Sequence, residues 1–313
     1  MANRAKGLIR PTIDPARPCP CGSDRRAAAC CLGADGNVRK PVSSVRPRPP
    51  ATGESQNGCY LGHTHDCAGG ISREHYVSKD ALEELSEGAV AIDGFFWQPP
   101  GEQKIVGINN LTANILCVRH NSALSPLDAE AGQFMRTIKR IHASLGTKSL
   151  SRKTTVSIVS GEALEQWILK VACGLFYAKI ASRDRHQIAK DHLVEDSIIA
   201  EGLFSKRWHR NCGLYMRAAV GQLVPGVNTI SLMPATAVLG DEKRYVGVRV
   251  SIIGLEFAVL FDPRGLYPDQ LAAEGWYLRP SDVCFRSRQR THWLILTWPA
   301  GTPGRVIEMT MTR

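Results

Sequence analysis

Apolar residues recur at helical spacing over Leu127, Ala131, Phe134, Ile138, Ile141 and Leu145. That spacing predicts a helix with one buried stripe. Ser125-Pro126-Leu127-Asp128 just before it reads as a helix start, with a capping serine, proline at the first position and an acid behind it. A second stripe runs through Leu164, Trp167, Ile168, Val171 and Leu175 behind Ser160-Gly161-Glu162, and Gly174 leaves room for close packing. Further helices are predicted over 79–86 and 186–201. A strand is predicted over 89–97, ahead of Pro99-Pro100-Gly101. From about Leu214 the texture becomes strand-like, over 227–233, 245–253, 256–261, 283–285, 292–298 and 305–311, with Pro and Gly turns between. Serial strands with short connections predict an α+β fold whose sheet is mainly antiparallel.

Large apolar residues are nearly absent over 34–57, where Pro, Gly and Arg dominate (Arg46-Pro47-Arg48-Pro49-Pro50). This reads as a basic, Pro-rich linker. It divides the chain into a small N-terminal piece (1–33), the linker (34–57), a central unit (58–146) and a C-terminal α+β unit (147–313). The last carries no chemical motif. Its Cys173, Cys212 and Cys284 are isolated and read as buried apolar residues. Target selection, a protein partner or homodimerisation is the role left for it.

Cysteines change this picture more than any other residue type. Of ten in the chain, seven precede residue 118, in groups with ligand-like spacing. Cys19, Cys21, Cys30 and Cys31 form a C-x-C-x8-C-C pattern. Four thiolates so close in sequence can close a tetrahedral zinc site, with Gly22 supplying a tight turn. A segment this short has no core of its own, so the metal would supply its folding energy. The pattern resembles the SEC-C motif, a small zinc module. The resemblance implies an accessory contact for protein or nucleic acid and no catalysis.

The second group is Cys59 and Cys67, followed much later by Cys117-x2-His120. Two pairs far apart in sequence suit a zinc ion that stitches a hairpin to a helix start. His63 and His65 are spare candidates for one of the four places. Between the pairs lies Ser72-Arg73-Glu74-His75, and Asn121 directly follows the last candidate ligand. Neighbours on a strand face opposite ways, so Glu74 and His75 need not share a task.

These residues resemble the HNH endonucleases. The likeness lies in the cysteine pair, the acid followed by histidine at Glu74-His75, and Leu116-Cys117-x2-His120-Asn121. It covers roughly residues 58–125. It implies a β-hairpin and a helix around one metal, the ββα-metal core. Carried over, it makes His75 the general base and has Glu74 and Asn121 hold a catalytic Mg²⁺ or Mn²⁺. Cys59, Cys67, Cys117 and His120 would hold structural zinc. Residues 78–110 read as an insertion. The place of the family's middle asparagine is filled by Thr112, with Asn110 and Asn114 as alternatives.

The chain has 313 residues and a net charge of +10, of which residues 1–50 supply +7 (ten Lys/Arg against three Asp/Glu). A basic balance suits an anionic partner, here DNA with RNA not excluded. Arg136, Lys139 and Arg140 are candidate phosphate contacts. No apolar run reaches the length of a membrane helix and no secretory signal is apparent, so a cytoplasmic protein without a membrane partner is expected. The expectation is therefore a metal-dependent DNA endonuclease with two structural zinc sites. The rival is a non-catalytic zinc scaffold for nucleic acid or protein.

Overall fold

The computed structural model describes residues 9–93, 98–99, 102–147, 153–180, 182–183, 186–187, 196–205, 207–218, 228–239, 242–262, 268–299, 302 and 304–310. The central unit begins with strand β1 (Ile71–His75) and helix α1 (Lys79–Leu85). A small hairpin of β2 (Ala89–Ile92) and β3 (Lys104–Gly107) follows, then β4 (Thr112–Cys117) and the long helix α2 (Val118–Gly146). β1 and β4 pair antiparallel, His75 opposite Thr112 and Ile71 opposite Cys117, with a bulge after Ser72. α2 leaves directly from the end of β4. The predicted strand 89–97 closes at Ile92, and residues 94–97 lie outside the described residues.

The helix start predicted at Ser125 is instead the interior of α2, which begins at Val118 with Cys117 as its cap. Pro126 has no N–H to give the Ser122 carbonyl four residues back. The Ser125 hydroxyl donates to that carbonyl at 2.9 Å, so the acceptor is satisfied and the helix runs on.

The C-terminal half opens with β5 (Lys153–Ser160) and helix α3 (Gly161–Tyr177). Ser160 caps α3 as expected, accepting from the Ala163 N–H at 3.0 Å. A short β6–β7 pair (Ser182–Arg183, His186–Gln187) and α4 (Asp196–Ala200) follow, and α4 continues into a π-helical turn over Glu201–Ser205. The helix predicted over 186–201 is thus a short strand at its start and a helix at its end, while 188–195 lie outside the described residues.

The remaining strands are β8 (Gly213–Arg217), β9 (Ile230–Leu239), β10 (Glu242–Ile252), β11 (Leu255–Leu260), β12 (Trp276–Leu278), β13 (Asp282–Arg286), β14 (Arg290–Thr297) and β15 (Val306–Thr310). α5 (Pro268–Ala273) lies before β12. They form an antiparallel five-stranded sheet, β12-β8-β11-β10-β9, and a four-stranded sheet, β15-β13-β14-β5. The second is mixed: β13 runs parallel to β15, and β14 to β5. The fold is thus α+β with mainly antiparallel sheets. β5, β8 and β12 were not predicted. Among the described residues no helix is long and apolar enough to cross a membrane.

The four-stranded sheet separates two apolar layers because neighbouring strand residues face opposite ways. Val159, Leu294 and Leu296 face the large core shared with α2 and α3. Ile158 and Ile295 face Ile13, Cys19, Cys21, Ala27 and Cys31 of the N-terminal piece. That piece therefore has a core, borrowed from the sheet. The Gln133 amide also donates to the Cys21 carbonyl, at 2.5 Å. The Pro-rich stretch behind it forms no helix or strand beyond a bridge between Leu32 and Val38, yet it is fastened along its length. Lys40 pairs with Glu130, Val45 is buried, and Arg46 donates to the Phe204 carbonyl at 2.8 Å.

α3 lies at the centre and is buried on nearly every side. At Gly174 an added methyl group would meet the Tyr76 Cα at 2.9 Å and its carbonyl oxygen at 3.0 Å. Both atoms are backbone and cannot swing away. Gly174→Ala should therefore destabilise the fold by about 1–3 kcal/mol, the cost of overpacking. Urea unfolding of the two proteins measures this, and equal midpoints would contradict it.

Candidate metal centres and the Glu74–His75–Asn121 site

Among the described residues two groups of side chains could hold a metal ion, and each brings four ligand atoms within 4.8 Å of one another. The first is Cys19, Cys21, Cys30 and Cys31; the second is Cys59, Cys67, Cys117 and His120. Both are the groups that the spacing picked out. His63 and His65 join neither.

In the N-terminal group the Cys21 and Cys30 sulfurs are 3.5 Å apart, and the Cys30 and Cys31 sulfurs 3.7 Å. The donor set suits a metal. Burial drives the Cys31 thiol far above its ordinary range. At Cys30 burial acts the same way, but hydrogen bonds led by the Ser23 hydroxyl outweigh it and bring the group to about 7. Buried thiols become thiolates only when a positive charge is supplied, and a bound cation supplies it.

The second group forms where the 59–67 turn meets the β4–α2 junction. His120 Nδ1 lies 3.2 Å from Cys117 Sγ, 3.4 Å from Cys59 Sγ and 3.7 Å from Cys67 Sγ. The other ring nitrogen, Nε2, is 3.2 Å from the Thr64 hydroxyl oxygen. That hydroxyl already donates to the Leu61 carbonyl at 2.7 Å, so it accepts from Nε2–H. The tautomer is thereby fixed with the Nδ1 lone pair facing the three sulfurs, as a metal ligand requires. Cys117 is also the helix cap: its sulfur accepts from the His120 N–H at 3.4 Å, where the dipole of α2 favours negative charge. Burial pushes the Cys59 thiol up to about 12, so this group too needs a cation to ionise. The turn is closed by Gly69, at φ +78°, where a Cβ would strike Val118 at 2.9 Å. Arg119 reaches back to Asp66 at 2.8 Å and to the Arg48 carbonyl at 2.6 Å, tying the Pro-rich stretch to the same turn.

Asn121, one residue past His120, is set by this junction. Its side-chain amide donates to the Ser72 hydroxyl at 3.1 Å, and its proximity favours the charged form of the Glu74 carboxylate. Glu74 and Asn121 are thus brought together. His75, on the opposite face of β1, is half-buried. Its Nε2 is enclosed and has no hydrogen-bond partner. Burial and the nearby Lys79 charge hold its pKa below the ordinary histidine value. No bond from Thr112, Asn110 or Asn114 reaches that nitrogen. The Thr112 hydroxyl accepts from Arg73 at 2.9 Å, and Asn110 and Asn114 are exposed.

Sequence reasoning missed the partner of Glu74. The Lys170 ammonium, from the middle of α3, lies 2.7 Å from Glu74 Oε1 and 2.6 Å from Asp128 Oδ2. Lys170 is 4% exposed and Glu74 7%. Asp128 also accepts from the Ser78 hydroxyl at 2.5 Å, and that hydroxyl accepts from the Trp167 indole at 2.5 Å. Burial opposes the charge on Lys170, but the Asp128 and Glu74 carboxylates overcome it and raise its pKa. Burial pushes the Glu74 carboxyl up, with Lys170 opposing. Only its place in the helix marks Lys170 in sequence: it sits inside an otherwise apolar run, Trp167 to Gly174.

A carboxylate and an amide oxygen are donors of the kind that Mg²⁺ or Mn²⁺ takes. The ammonium competes for one of them. Two unit charges about 4 Å apart repel by about 4 kcal/mol at an effective dielectric of ~20, and a divalent ion doubles that. No protein family, curated protein or solved structure matches the chain, so the site is read from its own geometry.

Removing the hydroxyl that fixes the His120 tautomer should loosen the second metal centre while leaving its four ligands intact. Thr64→Val is expected to lower metal affinity there by about 10- to 100-fold, the usual effect of losing such an outer partner. Competition against a zinc chelator measures it; affinity unchanged at both centres would contradict it.

Proposed function

We propose that this chain is an endonuclease of the HNH kind that hydrolyses phosphodiester bonds in DNA, with zinc at its two cysteine clusters. One observation carries the reading. His75 keeps a ring nitrogen without a partner and a pKa below the ordinary histidine value, one residue from the Glu74 carboxylate.

A pKa below the ordinary histidine value keeps His75 neutral near pH 7, as a base must be. In the proposed reaction Nε2, enclosed and across β1 from Glu74 in the resting chain, takes the proton of the attacking water once it is opened to solvent. Glu74 and Asn121 would hold a divalent ion, Mg²⁺ or Mn²⁺, which would stabilise charge building on the phosphate and the departing oxygen. The four-ligand cluster fixes the start of α2, and with it Asn121. The positive charge of the chain favours a polyanionic substrate. One such centre cuts one strand, so a nick is the expected product.

A second reading has one observation in its favour. Glu74 is buried and already neutralised by Lys170. A non-catalytic scaffold, binding nucleic acid or protein through its metal modules, would need only the cysteines and His120.

Nicking of supercoiled plasmid at millimolar Mg²⁺ or Mn²⁺ separates the two. His75→Ala should lose at least about 100-fold of the nicking rate, the usual weight of a general base, and should retain two bound zinc ions. A single-stranded RNA substrate in parallel reads out the alternative target. Undiminished nicking in the variant, or none in the zinc-loaded wild type on either substrate, would contradict the nuclease reading.

A further inference from the structure

The mechanism above makes no use of Lys170, the most deeply buried charge at the site. Three elements converge on its ammonium: β1 supplies Glu74, α2 supplies Asp128 and α3 supplies the lysine itself. Two carboxylates around one ammonium leave a net negative charge in a buried setting. The two contacts differ in what surrounds them. Asp128 is held from its other oxygen by Ser78, which is held in turn by the Trp167 indole. Asn121, the residue proposed to share a divalent ion with Glu74, lies near enough to favour its charged form.

We propose that Lys170 is a built-in competitor for the divalent ion: its ammonium occupies the cation position at Glu74, and a metal ion enters by displacing it toward Asp128. The inference rests on the reading of Glu74 as a metal ligand. Its physical basis is the 2.7 Å contact, since a second cation on the same oxygen would stand against an unscreened ammonium. A lysine stem is flexible, and Asp128 gives the ammonium an anchor that survives its release from Glu74. The C-terminal half thereby gains a role. It sets how tightly the centre takes its metal, and it makes occupancy depend on millimolar rather than trace divalent ion.

The test is Mn²⁺ binding followed by electron paramagnetic resonance on the zinc-loaded full-length chain. Wild type should half-saturate in the millimolar range. Lys170→Met and Lys170→Gln should each bind one Mn²⁺ at least about 30-fold more tightly, as removal of a unit charge a few ångströms from the ion predicts. Adding Glu74→Gln to either should abolish the gain. Equal half-saturation in wild type and the Lys170 variants would overturn the proposal, as would a gain that survives Glu74→Gln. Should neither Lys170 variant fold, the unmutated chain still decides. One Mn²⁺ bound at micromolar concentration and lost in Glu74→Gln would overturn the proposal; millimolar binding lost in Glu74→Gln would support it. Plasmid nicking is scored apart from this. Tighter Mn²⁺ binding without nicking removes the nuclease reading and leaves the competitor in place, and nicking with unchanged Mn²⁺ binding does the reverse.

Discussion

The Lys170 ammonium joins the two halves of this chain. It neutralises Glu74 from β1 and Asp128 from the long helix, although it belongs to α3 of the C-terminal half. The same helix turns a second buried charge the other way. Glu165 pairs with Arg279 at 2.9 Å and accepts from the Leu214 N–H of β8 at 2.6 Å, in the five-stranded sheet. α3 therefore carries a cation toward one unit and an anion toward the other, with Trp167, Ile168 and Val171 between them in the common core. Removing one partner of such a buried pair typically costs about 3–5 kcal/mol, because the other charge is left without compensation. The central unit and the C-terminal unit accordingly share one apolar core, and neither is closed without α3.

Metal ligation acts one level below this, on local geometry. The Cys59–Cys67 turn, the end of β4 and the first turn of α2 meet at four ligand atoms. Thr64 fixes the ring of His120, Cys117 caps the helix, and Asn121 follows with its amide on the Ser72 hydroxyl. The N-terminal cluster is built differently. It packs as a block against Ile158 and Ile295 on the outer face of the four-stranded sheet, far in sequence from the residues it supports. One cluster positions the proposed chemistry, and the other seals a sheet face.

Both ligand groups were legible because cysteine spacing is a local signal and few other residues mimic it. The α3 stripe was legible for the same reason: Leu164, Trp167, Ile168 and Val171 are close in sequence and all apolar. The partner of Glu74 was not. Lys170 is 96 positions from Glu74, and a lysine in a helix ordinarily reads as solvent-facing. The start of α2 was misplaced because Ser125-Pro126 has the composition of a cap. Only the hydroxyl bond to Ser122 distinguishes a tolerated interior proline from a first-turn one. The Pro-rich stretch looked unattached because its anchors, Lys40, Val45 and Arg46, are single residues whose partners lie far along the chain.

The account stands on metal ions holding the two clusters, with the second fixing Asn121 beside Glu74. Anomalous scattering at the zinc edge, from crystals of the full chain, tests this most directly. The account predicts two zinc peaks, one among Cys19, Cys21, Cys30 and Cys31 and one among Cys59, Cys67, Cys117 and His120, with the Asn121 amide in contact with Glu74. A second cluster without metal, its cysteines joined as a disulfide or His120 turned away from them, would contradict it.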